Sequence, residues 1–163
     1  MKKYILFVIL MGFFIFFQST PLYENIGIRG VQPDFILITL CAAAYMLGPM
    51  TGQIVGFIVG MVIDIISGGL IGISAFTYTI IGYGVGAIGS KLYGQGFLTS
   101  AIILFFATLI KATLLSLLGT LFLEAGYFGY FTQGRAFLEA ILNCFIAPIL
   151  FFIIMKVEQK VMD

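Results

Sequence analysis

Apolar residues run through this chain in long, nearly unbroken stretches, and the few polar positions collect in short clusters that divide them into six. Runs of about 17–25 apolar residues are what a membrane-crossing helix requires. The first covers about 4–20 and stops at Ser19, Thr20 and Pro21. A second covers 33–47 and a third 51–66, with Gly48-Pro49 breaking the pattern between them. The fourth covers 70–90, the fifth 97–123 and the sixth 137–155. The pattern predicts an all-α, polytopic membrane helical bundle of six transmembrane helices, forming a single integral-membrane domain over 1–163. Spans two and three are short, about 22–24 Å of helix each at 1.5 Å per residue, and are also compatible with a re-entrant pair.

Composition points to the same solvent. With 61% hydrophobic residues, 9% charged residues and a mean hydropathy of +1.17, too little polar surface exists to cover a water-soluble globule. The net charge is +1, with no long basic or acidic run to recommend a nucleic acid partner.

Orientation follows from the basic residues. In a six-span arrangement Lys2, Lys3, Lys91, Lys156 and Lys160 fall on one side, and Arg29 and Arg135 on the other, so both termini are expected in the cytoplasm. Tyr4, Tyr45 and Tyr93 fall at inner ends of spans, and Tyr23, Tyr127 and Tyr130 at outer ones, as interfacial aromatics do. The first span has no small-x-small site before a plausible cut and no Cys to take a lipid, so it reads as an uncleaved helix. Cys41 and Cys144 lie inside spans and imply neither a disulfide nor a metal site.

Two small-residue stripes interrupt the hydrocarbon. Gly52, Gly56, Gly60 and Asp64 step by four in the third span, and Ser74, Tyr78, Gly82, Gly86 and Ser90 do so in the fourth. Such stripes let helix backbones approach closely. They are expected either to pack against each other or to leave one face for a partner's helix. An intramembrane polar cluster is expected from Asp34, Asp64, Lys111, Glu139 and Asn143. Asp34 follows Gln32-Pro33 at a helix start, where a carboxylate caps backbone N–H groups. Asp64 lies near a helix C-terminus, the wrong end for the dipole, so a tertiary contact is expected of it. Lys111 sits near the middle of the fifth span, where an isolated ammonium costs several kcal/mol, and its natural acceptors are Asp64 or Glu139.

Most catalytic chemistry is unsupported. The chain has no histidine, which removes Ser-His and Cys-His nucleophiles and makes zinc improbable. Gly72-Ile73-Ser74-Ala75 is then an ordinary helix start. Asp64 and Asp34 lack the setting of paired intramembrane aspartates. No catalytic residue, cofactor or metal is expected.

The stretch from Gln32 to Gly86 resembles the rod shape-determining protein MreD family. Pro33-Asp34 opens the second span, and Gly48-Pro49 with Gly52 forms the break after it. The Gly-rich third span with Gly56 and Gly60 then ends in Asp64-x-x-Ser67-Gly68, and Gly72-x-Ser74 with Gly82-Tyr83 follows. The resemblance implies a non-enzymatic component of the bacterial elongation machinery in the inner membrane. Its implied partners are MreC and, directly or through it, RodA and a class B penicillin-binding protein, with MreB acting on the inner face. A glycine face would receive the MreC helix while outer carboxylates fix its register. The family is also similar in span number and layout to the substrate-capture subunits of energy-coupling-factor vitamin transporters. By that alternative Lys111, Asp64, Glu139 and Asn143 would line a pocket for a polar solute.

Overall fold

A computed structural model of the chain describes residues 2–89, 97–123 and 133–162. Ser90, Lys91, Tyr93, Tyr127 and Tyr130, invoked above, lie outside the described residues. The fold is all-α. Its described elements are α1 (Lys2–Gln18), the single turn α2 (Pro21–Glu24), α3 (Phe35–Leu47), α4 (Pro49–Ser67), α5 (Ile73–Gly89), α6 (Phe97–Leu123) and α7 (Arg135–Met162). Among the described residues three helices are long and apolar enough to cross a membrane: α4, α6 and α7. The apolar helices α1, α3 and α5 are shorter.

Local chemistry sets most boundaries. Asp34 caps α3, accepting a hydrogen bond from the Leu37 N–H at 2.9 Å. Gly48, at φ 91°, ends α3 and starts α4, and Pro49 takes the first position of α4, where its missing N–H costs nothing. With no residue lost to a loop, α4 reaches 19 residues and stops at Gly68 in the left-handed conformation. Of the two short spans expected, only α3 is short. α5 begins at Ile73, later than expected, because 68–72 forms a turn with positive φ at Gly68 and Gly72. α7 runs past the apolar stretch to Met162, and there Glu158 pairs with Lys3 at 2.7 Å. That contact places the start of α1 beside the end of α7.

α3 is the central rod. Every residue from Ile36 to Ala44 is buried, and α1, α4, α5, α6 and α7 all pack on it. A helix that is apolar on all sides belongs in such a place. The large exposed side chains of the other helices, among them Ile54, Phe57, Phe106 and Phe145, form the outer wall that meets lipid.

The two glycine stripes face each other. A Cβ on Gly52 would stand 2.4 Å from the Gly82 carbonyl oxygen, and one on Gly82 would stand 2.1 Å from the Gly52 carbonyl oxygen. One turn on, Gly56 abuts the Tyr78 backbone, and Gly60 abuts that of Ala75. α4 and α5 are thus antiparallel with main chains in contact, and Gly86 extends the contact to Pro49.

Candidate functional site: a buried ion cluster between two cavities

The bundle carries its polar chemistry where α3, α5, α6 and α7 converge. Lys111 of α6 donates to Asp34 Oδ2 at 2.7 Å and to Glu139 Oε1 of α7. The Tyr78 hydroxyl of α5 donates to the same Asp34 oxygen at 3.0 Å. Asn143, one turn beyond Glu139, accepts from the Asp34 N–H at 2.8 Å and donates to Thr108 Oγ1 at 3.0 Å, and Thr108 in turn donates to the Leu104 carbonyl. Asp34, Lys111, Glu139, Asn143, Tyr78 and Thr108 are each no more than 8% exposed. In this cluster Asp34 is the hub, since its carboxylate and its N–H together bind four helices. Charges withdrawn from water in this way persist only when each is paired and hydrogen-bonded.

Lys111 therefore finds Glu139 as expected of it, but its second acceptor is Asp34 rather than Asp64. The reason is depth. Because α3 is only 13 residues long, its capped N-terminus sits level with the middle of α6, so Asp34 lies well below the edge of the bundle. Asp64 does different work. Its Oδ2 accepts from the N–H groups of Gly72 (2.8 Å) and Ala75 (3.2 Å), and its Oδ1 from that of Ser74 (3.0 Å). The carboxylate at the end of α4 is the N-terminal cap of α5, delivered from the neighbouring helix to the positive end of its dipole. Tyr78 and Thr108 were not anticipated in the cluster. Thr108 lies one turn from Lys111 on α6, and that three-residue spacing was the available signal.

Two cavities flank the cluster, and Lys111 and Glu139 line both. The first, of about 280 Å³, is polar and lies below α2 and the turn at 28–31, with Gln18, Tyr23, Gln32 and Arg135 in its wall. That turn is a two-residue hairpin, Ile28 bridging Val31 across Arg29 (φ 55°) and Gly30 (φ 75°), the primed geometry that positive φ permits. Tyr23 donates to the Pro33 carbonyl at 2.8 Å, and burial, reinforced by the Asp34 charge, pushes its phenol up, so it stays a donor. Phe35 stacks on Phe14 and meets Phe17 and Tyr23 edge-on, closing the α1 side. The second cavity, of about 400 Å³, is mainly apolar and lies between the 67–74 turn and α6. Apart from these, an apolar groove of about 510 Å³ runs between α1 and α4 from Tyr4 to Ser19, and one of about 490 Å³ lies between α5 and α6.

Gly52, Gly56, Gly60 and Gly82 of the packed stripes, with Asp34 and Asp64, are among the positions that carried the resemblance noted above. The family model for the rod shape-determining protein MreD matches residues 1–161. The chain belongs to the MreD family. It is a rod shape-determining membrane protein, and the family is non-enzymatic. No curated protein and no solved structure matches it. The ion cluster joins four helices, α3, α5, α6 and α7, largely through hydrogen bonds to or from charged groups.

Proposed function

We propose that this chain is a scaffold of the cell-elongation machinery in the bacterial cytoplasmic membrane. It crosses six times with both termini inside, binds the transmembrane helix of MreC, and through MreC influences RodA and its class B penicillin-binding partner, with MreB on the inner face. The location of the Lys3–Glu158 pair supports this orientation, since it gathers both termini and Lys156 and Lys160 at one end.

The docking face is the α1–α4 groove. The stripe glycines Gly52, Gly56, Gly60, Gly82 and Gly86 are consumed in the α4–α5 contact, and the oxygens of Asp64 by the α5 N-terminus, so that face has no room for a further helix. The groove beside α1 has room, because Gly12 there meets nothing within 4 Å. Length carries the choice. Along its longer wall, from Tyr4 to Ser19 of α1, the groove runs for about 22 Å, most of the hydrocarbon depth, whereas the longer wall of the α5–α6 groove, from Thr99 to Ile110 of α6, runs for about 16 Å. Co-purification tests it. Gly12→Leu should fill the groove and reduce MreC recovery severalfold at unchanged protein level, while Gly84→Leu, in the other groove, should leave recovery unchanged. Equal recovery with both variants would remove the groove from the account.

A further inference from the structure

Gln18 is the last residue of α1, and its side-chain Nε2 is buried in the wall of the polar cavity with no acceptor among the described residues. A buried amide donor left without an acceptor is destabilising, so the fold gains nothing by keeping it there. The other polar groups of the interior are engaged. Lys111 is bonded to Asp34 and Glu139 at the floor, and Tyr23 is held by the Pro33 carbonyl. A second carboxamide, that of Gln32, stands in the same wall as Gln18.

Size and lining narrow the ligand. The volume, about 280 Å³, is near the lower edge of ligand pockets and has room for one ring rather than a chain. Among the described residues of the wall, Val31 is the one aliphatic side chain, so a lipid tail has little to gain there. Charges of both signs stand around the volume, which therefore selects no net charge. What it offers is planar groups, amide and carboxylate, each able to meet two adjacent hydroxyls at once. Residues 25–33 are non-helical although Asp34 beside them reaches Lys111 in mid-helix, and irregular backbone persists at such depth where it is buried in protein or lines a water-filled cavity. Exposed Gly30 and Arg135 mark the mouth, at the end of the bundle opposite the Lys3–Glu158 pair.

We propose that the polar cavity binds a neutral polyol of one sugar ring, entering from the end of the bundle opposite the termini. A hydroxyl of the ring accepts from Gln18 Nε2, and its neighbours, which donate as well as accept, bond the Gln32 carboxamide. A free sugar and the sugar head group of a glycolipid present this chemistry alike. The inference does not depend on which helix occupies the α1–α4 groove.

The test uses the full chain in phosphatidylcholine nanodiscs prepared without glycoside detergents, with D-glucose and myo-inositol as probes and cyclohexanol and glycine betaine as controls, read by saturation-transfer NMR. The two polyols should bind saturably in the millimolar range, and cyclohexanol, a ring with a single hydroxyl, and glycine betaine, a zwitterion without hydroxyls, should not. Gln18→Leu keeps the approximate shape and removes the donor, so it should weaken polyol binding about tenfold. The unfolding temperature of the sugar-free variant should stay level or rise, because a donor without an acceptor has been lost, whereas a merely structural amide would lower it. Gln18→Glu, which keeps the length and exchanges the donor for an acceptor, should weaken binding as well. Glucosyl diacylglycerol built into the disc separates the sources: displacement of glucose by it assigns the site to a lipid-borne sugar, and displacement by methyl glucoside alone assigns it to a free one. No saturable binding of either polyol, which leaves the cavity to water, would overturn the proposal, as would wild-type affinity in Gln18→Leu or a cyclohexanol signal equal to that of glucose.

Discussion

Substituting alanine for glycine at two positions of α5, two residues apart, separates close backbone packing from helix propensity. At Gly82 the new Cβ would lie 2.1 Å from the Gly52 carbonyl oxygen and 2.6 Å from its carbon. A carbon-to-oxygen contact of this kind normally rests near 3.3 Å, so α4 and α5 must part locally by about 1 Å. A gap of that size forfeits up to about half of the dispersion energy of each affected atom pair. The obstacle is main chain on both sides and cannot swing away, so the cost belongs at the upper end for overpacking, about 3 kcal/mol. Gly84 meets nothing within 4 Å, and alanine there should stabilise α5 by about 0.5–1 kcal/mol. Unfolding in mixed micelles titrated with a denaturing detergent reads both. The variants should move in opposite directions, about 4 kcal/mol apart. Equal shifts would refute the claim that the two stripes are pressed together.

Other consequences follow from the buried charges. Lys111→Met leaves Asp34 and Glu139 facing each other without their cation and should cost about 3–5 kcal/mol in the same assay, whereas adding Asp34→Asn and Glu139→Gln should restore most of it. Native-like stability of the single variant would show that the pairs contribute nothing. Asp64→Asn replaces an anion that accepts three backbone N–H groups with a neutral amide, so α5 should lose about 1–2 kcal/mol at its start. Faster hydrogen exchange at Gly72, Ser74 and Ala75 would register this, and unchanged exchange would contradict it.

Much of the bundle was legible from spacing alone. Four-residue glycine steps place those residues on one face whatever the partner, so the α4–α5 contact needed only a choice of partner, and the two stripes supplied each other. The Gly48-Pro49 break was equally local, because its backbone requirement is written into the two residues. What escaped depended on depth and on contacts between distant segments. Asp34 was recognisable as a cap, but its pairing with Lys111, 77 positions away, arises because α3 is short and its start is sunk into the bundle. Asp64 looked misplaced beside the C-terminus of its own helix. Only the reversal of the chain at 68–72 brings the next helix's N–H groups under its carboxylate, and nothing in the local pattern records that turn's direction. Tyr78 sits in the glycine stripe, and its hydroxyl found its acceptor through the same tertiary arrangement.

Cysteine cross-linking reads the proposed docking of an MreC helix in the α1–α4 groove most directly. In a Cys144→Ser background, Val8→Cys in the α1–α4 groove and Ile102→Cys in the α5–α6 groove would each be paired with a cysteine scan along the MreC transmembrane helix in native membranes. Cross-links that recur with helical period at Val8→Cys and are missing at Ile102→Cys are the predicted result. The reverse pattern, or none at either position, would contradict it.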